Sequence, residues 1–131
     1  MARKGFEGKL SSSILIADDN STVRAAVSSF IKQNMDAEVC AEVDNGAEAV
    51  EKFKQLHPNI VILDFKMPVL DGLRAATQIK RLEPETKIIL FTMFASRQME
   101  NYAQIFGVDE VVSKSDNGYK LLAAIRNPVR K

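Results

Sequence analysis

Five polar residues with chemical capacity stand where short apolar runs end. Asp18 and Asp19 follow Ile14-Leu15-Ile16-Ala17, and Asp64 follows Ile60-Val61-Ile62-Leu63. Thr92 closes Ile88-Ile89-Leu90-Phe91, and Lys114 follows the weaker run Glu110–Ser113. Carboxylates gathered in one place repel one another and raise each other's pKa values. A hard divalent cation with oxygen ligands relieves that repulsion, and Mg²⁺ suits a site with few carboxylates and retained waters. A carboxylate beside such an ion can attack phosphorus and become an aspartyl phosphate. That reaction needs cations and hydrogen-bond donors around the equatorial oxygens, here the Lys114 ammonium and the Thr92 hydroxyl. Each residue alone has a plainer role as a helix cap, turn residue, strand residue or solvated lysine. Their shared position at the ends of apolar runs gives the set its weight.

The runs themselves define the scaffold. Each is continuous in Ile, Val and Leu rather than alternating, the pattern of a strand covered on both faces and hence of a parallel sheet. Residues 38–43 and 110–113 are weaker strand candidates. Between the runs, apolar residues recur at helical spacing: Val23, Val27, Phe30 and Ile31; Ala49, Val50 and Phe53; Leu73, Ala76 and Ile79; Leu121, Leu122 and Ile125. Residues 99–106 read as a shorter helix. Asn20 is placed to cap the first helix and Asn45 or Gly46 to open the second. His57-Pro58 closes the second, Pro84 follows the third, and Gly107 ends the fourth as a left-handed cap. Five strands alternating with five helices imply an α/β fold, a parallel sheet with helices on both faces and right-handed crossovers. The five polar residues then share the carboxyl edge of that sheet, where ligand crevices form in open α/β folds.

Size and composition narrow the function. The chain has 131 residues, 46% hydrophobic and 27% charged, which fits one globular domain with a sizeable core. The single cysteine, Cys40, excludes an internal disulfide and reads as a small buried apolar residue. A net charge of +1 gives no footprint of direct nucleic-acid binding by this chain. No apolar run reaches membrane-spanning length, and MARKGFEG lacks the apolar stretch of a signal peptide. The expectation is a cytoplasmic protein without membrane contact. Residues 1–13, ending in a serine run, read as a flexible leader, and residues 14–127 as the domain.

The pattern Ala17-Asp18-Asp19-Asn20, Leu63-Asp64-Phe65-Lys66-Met67-Pro68 with Asp71-Gly72, Phe91-Thr92 and Ser113-Lys114 resembles the receiver domains of bacterial two-component response regulators. The likeness runs from about Ile14 to Ile125. It implies a flavodoxin-like receiver fold with strand order 2-1-3-4-5. It also implies that Asp64 is the phosphoacceptor, supplied by a sensor histidine kinase or a phosphotransfer protein. Asp19 and Asp64 would ligate Mg²⁺ directly, Asp18 partly through water, and Lys66 through its backbone carbonyl. Thr92 and Lys114 would hold phosphoryl oxygens. The Thr92-Met93 pair and Lys114-Ser115-Asp116 look like receivers attached to LuxR-type helix-turn-helix domains. The chain stops soon after Pro128, so the expectation is either a stand-alone regulator or a portion of a longer one.

Receivers of this kind switch a surface formed by the fourth helix, fifth strand and fifth helix. Thr92 is one switch position. The other, often Tyr or Phe, is Val111 here, so Phe91, Phe94 or Tyr102 are alternative transmitters. Phosphorylation-linked homodimerisation would use Met99, Tyr102, Val108 and Tyr119. Lys66 reads as a solvated lysine, with an ion pair to the acidic pocket as the alternative. Phe94 reads as a packing or interface aromatic, with a screen over the phosphoryl group as the alternative.

Other classes fit less well. An aspartyl-nucleophile phosphatase would want a second carboxylate close after Asp64, where Lys66 stands, and chain length for a cap. A flavin or nucleotide binder would want a Gly-rich or Ser/Thr-rich loop where Asp18-Asp19 places negative charge. A pseudo-receiver, a phosphorylation-independent interaction module, would lack part of the acidic cluster.

Overall fold

The computed structural model describes residues 12–128. Strands β1 (Ser12–Ala17), β2 (Ala37–Val43), β3 (Ile60–Leu63), β4 (Lys87–Thr92) and β5 (Glu110–Ser113) alternate with helices α1 (Ser21–Asn34), α2 (Gly46–Leu56), α3 (Gly72–Leu82), α4 (Arg97–Ile105) and α5 (Gly118–Arg126). The strands form one parallel sheet in the order β2-β1-β3-β4-β5, as the resemblance implied.

The continuous apolar runs are explained by two cores. Leu15, Ala17, Val61, Leu63, Ile88 and Leu90 point into the layer closed by α2, α3 and α4. Their neighbours Ile14, Ile16, Ile60, Ile62 and Ile89 point into the layer closed by α1 and α5. Each fully buried Ile or Leu contributes roughly 1.5–3 kcal/mol, so both faces of the three central strands fix their register.

The five helices each start on a side-chain cap. Asn20, Asn45, Asp71, Ser96 and Asn117 accept from Val23, Glu48, Arg74, Met99 and Tyr119 N–H respectively; each such cap typically contributes ~1 kcal/mol. The roles of Asp71, Ser96 and Asn117 had not been read from the sequence. His57 closes α2 in the left-handed region at φ 47°, and Gly107 follows α4 at φ 95°.

Two expectations shift. The serine run is not wholly outside the fold: Ser12 and Ser13 pair with Ala37 and Glu38, and Ser13 N–H donates to the Asn59 side chain at 2.9 Å. The rest of the expected leader lies outside the described residues. Cys40 is only half-buried, because β2 is an edge strand covered less completely than β1 or β3. Among the described residues, no helix is long and apolar enough to cross a membrane.

Candidate metal centre

The site is built by backbone hydrogen bonds that continue the ladder one residue past the strands. Asp18 N–H donates to Val43 O at 3.0 Å, Asp64 N–H to Ala17 O at 3.0 Å, and Lys114 N–H to Thr92 O at 2.9 Å. Each residue is thus held at the sheet edge before its side chain makes any contact. The loop after Asp64 is held equally closely. Gly72 N–H donates to Phe65 O at 2.8 Å, and a Cβ at Gly72 would sit 2.0 Å from the Asp64 carbonyl oxygen. Only glycine permits this approach.

The three carboxylates come together as the sequence implied. Asp18, Asp19 and Asp64 each offer an oxygen within 4.8 Å of the others, with Asp18 and Asp64 buried and Asp19 exposed. Asp18 accepts from Asn20 N–H at 2.9 Å, which turns the chain into α1, and Arg24 donates to its carbonyl at 2.6 Å. Asp64 accepts from Phe65 N–H at 2.7 Å. Lys114 bridges the two buried acids, at 2.6 Å from Asp18 and 2.9 Å from Asp64.

The bridge leaves the cluster formally with two uncompensated negative charges, a match for one divalent cation. The donor set is all oxygen, and its exposed member, Asp19, leaves room for retained water. Both features suit Mg²⁺. Burial pushes the Asp64 carboxyl above the usual range, and the neighbouring Asp18 charge adds to that rise. The Lys114 hydrogen bond and charge and the Phe65 N–H oppose it. Burial works against the Lys114 ammonium, yet its hydrogen bonds to Asp18 and Asp64 outweigh that penalty and raise its pKa.

Thr92 is fully buried at the end of β4, one strand over from Asp64. Its oxygen accepts from Phe94 N–H at 3.2 Å, so its own proton is available to donate. Val111 is half-buried on β5 and packs on the core beneath α4.

The Lys66 side chain does not enter the acidic pocket. Its Nζ lies 5.0 Å from the centre of the Phe94 ring, which itself meets Phe65 edge-on at 6.2 Å. Lys114 reaches the pocket instead, because β5 projects it across the sheet edge. The cation–aromatic contact joins the loops after β3 and β4, a pairing between residues 28 positions apart that no local pattern carries.

The residues of the expected dimer surface are distributed over the approach to β5 and the two helices that flank it. Val108 is buried, Met99 is half-buried, and Tyr119 sits on the opposite layer, edge-on to Phe30 of α1 at 6.1 Å. Tyr102 on α4 and Tyr119 on α5 are both exposed.

The chain was compared with known proteins. The family model described as the response regulator receiver domain matches residues 14–126. The response regulator protein VraR of Staphylococcus aureus is 32% identical over 117 residues, covering 89% of this chain and 56% of the relative. The chain therefore spans about half the length of the curated relatives it matches. A DNA-binding response regulator of the LuxR family from Staphylococcus aureus superposes with a TM-score of 0.81 at 32% identity, covering 87% of this chain and 95% of that one. A LuxR-family two-component response regulator from Aurantimonas sp. SI85-9A1 gives 0.83 at 27% identity, covering 88% and 82%.

Proposed function

Because this chain belongs to the response regulator receiver domain family, we propose that it takes a phosphoryl group onto Asp64 from a phosphohistidine of a sensor kinase or phosphotransfer protein. The observation that carries the proposal is the convergence of Asp18, Asp19 and Asp64 within 4.8 Å, with Lys114 bridging the two buried members. In the reaction an Asp64 carboxylate oxygen attacks phosphorus in line. The phosphorus–nitrogen bond to histidine breaks, and its electron pair leaves with the imidazole. The raised Asp64 pKa marks a carboxylate poorly solvated in its resting state. Lys114 is within reach of both the acceptor and the new phosphoryl oxygens, and the Thr92 hydroxyl has its proton free for another.

Asp19 and Asp64 would hold Mg²⁺ directly, Asp18 partly through water, and the Lys66 carbonyl would complete the protein's share. When bound, the ion supplies positive charge that offsets the gathering negative charge on the equatorial oxygens. The product is an aspartyl phosphate that stays on the chain until water removes it, so the chain acts as a phosphoacceptor with its own phosphorylation and dephosphorylation chemistry rather than as a phosphatase for an outside substrate. The drawing of Thr92 and Lys114 toward the new dianion would bias β4, α4 and β5 between two arrangements. Cytoplasmic location and phosphorylation-dependent self-association belong to the same reading.

Intact mass after incubation with acetyl phosphate and Mg²⁺ tests it. A gain of one phosphoryl group is expected, absent in Asp64→Asn and when the cation is chelated. An unmodified wild type, or a gain that persists in Asp64→Asn, would overturn the assignment.

A further inference from the structure

Lys87 is the one buried lysine among the described residues, with its side chain only 4% exposed. It opens β4 at the edge of the sheet opposite the acidic pocket. It stands two residues before Ile89, hence on the same face, toward α1 and α5. Its Nζ donates to Glu110 Oε2 at 2.8 Å and to the Asn127 carbonyl oxygen at 2.6 Å. The Asn127 side-chain amide donates to the same Glu110 oxygen at 3.2 Å. A triangle thus joins the start of β4, the start of β5 and the residue that caps the end of α5. Asn127 N–H donates to Ala123 O at 3.0 Å, and Arg126 reaches Asn34 O of α1 at 3.4 Å. The last turn of α5 is therefore held from two sides.

Stability is a poor explanation for this triangle. Lysine is rarely buried unless paired, and replacing a buried ion pair by apolar groups of similar volume is often neutral or stabilising. The strand residues beside it on this face, Ile89 and Val112, are apolar. What the ion pair adds is a fixed geometry, and that geometry joins the two strands that reach the reactive edge. β4 runs from Lys87 to Thr92, and β5 runs from Glu110 to Ser113, next to Lys114. Lys87 and Glu110 are the far ends of strands whose near ends present the two phosphoryl-binding side chains. Ion-pair networks on rigid elements are able to carry coupling between distant sites. The triangle also has a second arrangement open to it. The ammonium carries three protons and the carboxylate two oxygens, so partners exchange without leaving a charge unpaired.

We infer that Lys87 is a positioning residue that passes the state of the phosphorylation edge to the end of α5. The inference rests on phosphoryl acceptance at Asp64. When Thr92 and Lys114 are drawn toward the new dianion, β4 and β5 shift relative to each other. The Lys87–Glu110 alignment changes with them, and the Asn127 carbonyl follows its donor. A modification at one edge of the sheet, roughly 17 Å away along β4, then sets the direction in which the backbone leaves α5.

The test is amide NMR of the full chain before and after modification with excess acetyl phosphate and Mg²⁺, with phosphoryl occupancy read by intact mass in the same sample. Wild type is expected to shift the amides of residues 123–127 together with those around Thr92 and Lys114. Lys87→Met with Glu110→Gln removes both charges and leaves neither unpaired; Lys87→Met alone is the second variant. Thermal melts confirm that each is folded. At equal occupancy both variants should keep the shifts around Thr92 and Lys114 and lose those at residues 123–127. Lys120→Met, which removes an exposed lysine of α5, should behave as wild type. No phosphoryl gain in wild type would overturn acceptance at Asp64 and the relay with it. A full gain that leaves residues 123–127 unmoved would overturn the relay alone. So would persistence of those shifts in the Lys87 variants, or their equal loss in Lys120→Met.

Discussion

At the residue scale, Lys114 does what no other side chain here can. Its ammonium lies within 3 Å of two buried carboxylates and carries the only positive charge among the described side chains that reaches them both. Breaking a buried ion pair by removing one partner leaves an uncompensated charge, at a cost on the order of 3 kcal/mol. Lys114→Met is therefore expected to lower stability by about that amount without a divalent cation. Added Mg²⁺ should recover more of the loss in the variant than it adds to wild type, since it supplies the missing charge at the same place. Melting curves with and without the cation measure both. An equal gain in the two proteins would mean that Lys114 and the cation do not share one pocket.

At the element scale, the loop between β3 and α3 is constrained from both ends. Gly72 is fixed by the approach to the Asp64 carbonyl, and Val69 sits at φ 70°, a left-handed conformation that β-branched residues rarely adopt. The second feature stores strain of about 1 kcal/mol in a residue that is 81% exposed and so gains little from packing. Val69→Asn, which tolerates the left-handed region without glycine's entropy cost, should raise stability by up to about 1 kcal/mol, measurable by urea denaturation; a lower midpoint would show that the turn is not strained. Gly72→Ala works in the opposite sense. The added methyl meets backbone that cannot swing away, so α3 and Asp64 must separate. Its phosphorylation rate is expected to fall by more than the loss of folded protein explains, with rate and folded fraction compared in one sample.

At the scale of the whole molecule, the fold gathers a surplus of negative side-chain charge at one sheet edge. Asp64 binds its proton more tightly in the folded chain than in the unfolded one. Its contribution therefore favours folding in acid and is lost as pH rises from the ordinary carboxylate range through its higher folded value. Asp64→Asn removes that dependence. Without cation, its stability relative to wild type should grow across this pH window and then level off, and Mg²⁺ should narrow the difference at neutral pH. A difference that stays flat with pH would contradict burial as the cause of the raised value. The same view of the molecule separates its surfaces: Tyr119 belongs to the α1–α5 layer and Tyr102 to the α2–α3–α4 layer.

The amino-acid order by itself determined the strands, the helices and the edge of the sheet at which Asp18, Asp19, Asp64, Thr92 and Lys114 would meet. A strand buried on both faces must be apolar at consecutive positions, and a polar residue can follow only where the strand leaves the core, so Ile60–Leu63 and Asp64 are legible together. The family pattern added the strand order that periodicity alone leaves open. Tertiary structure decided what depends on distances between elements: Lys114 rather than Lys66 in the acidic pocket, Lys66 on the Phe94 ring, Val108 buried, and Tyr102 and Tyr119 on opposite layers. Those outcomes follow from the register of parallel strands and the docking of helices on them, which set which side chains meet across tens of residues of chain. Local spacing encodes the direction of a side chain within its own element and carries no information about its neighbour in the next.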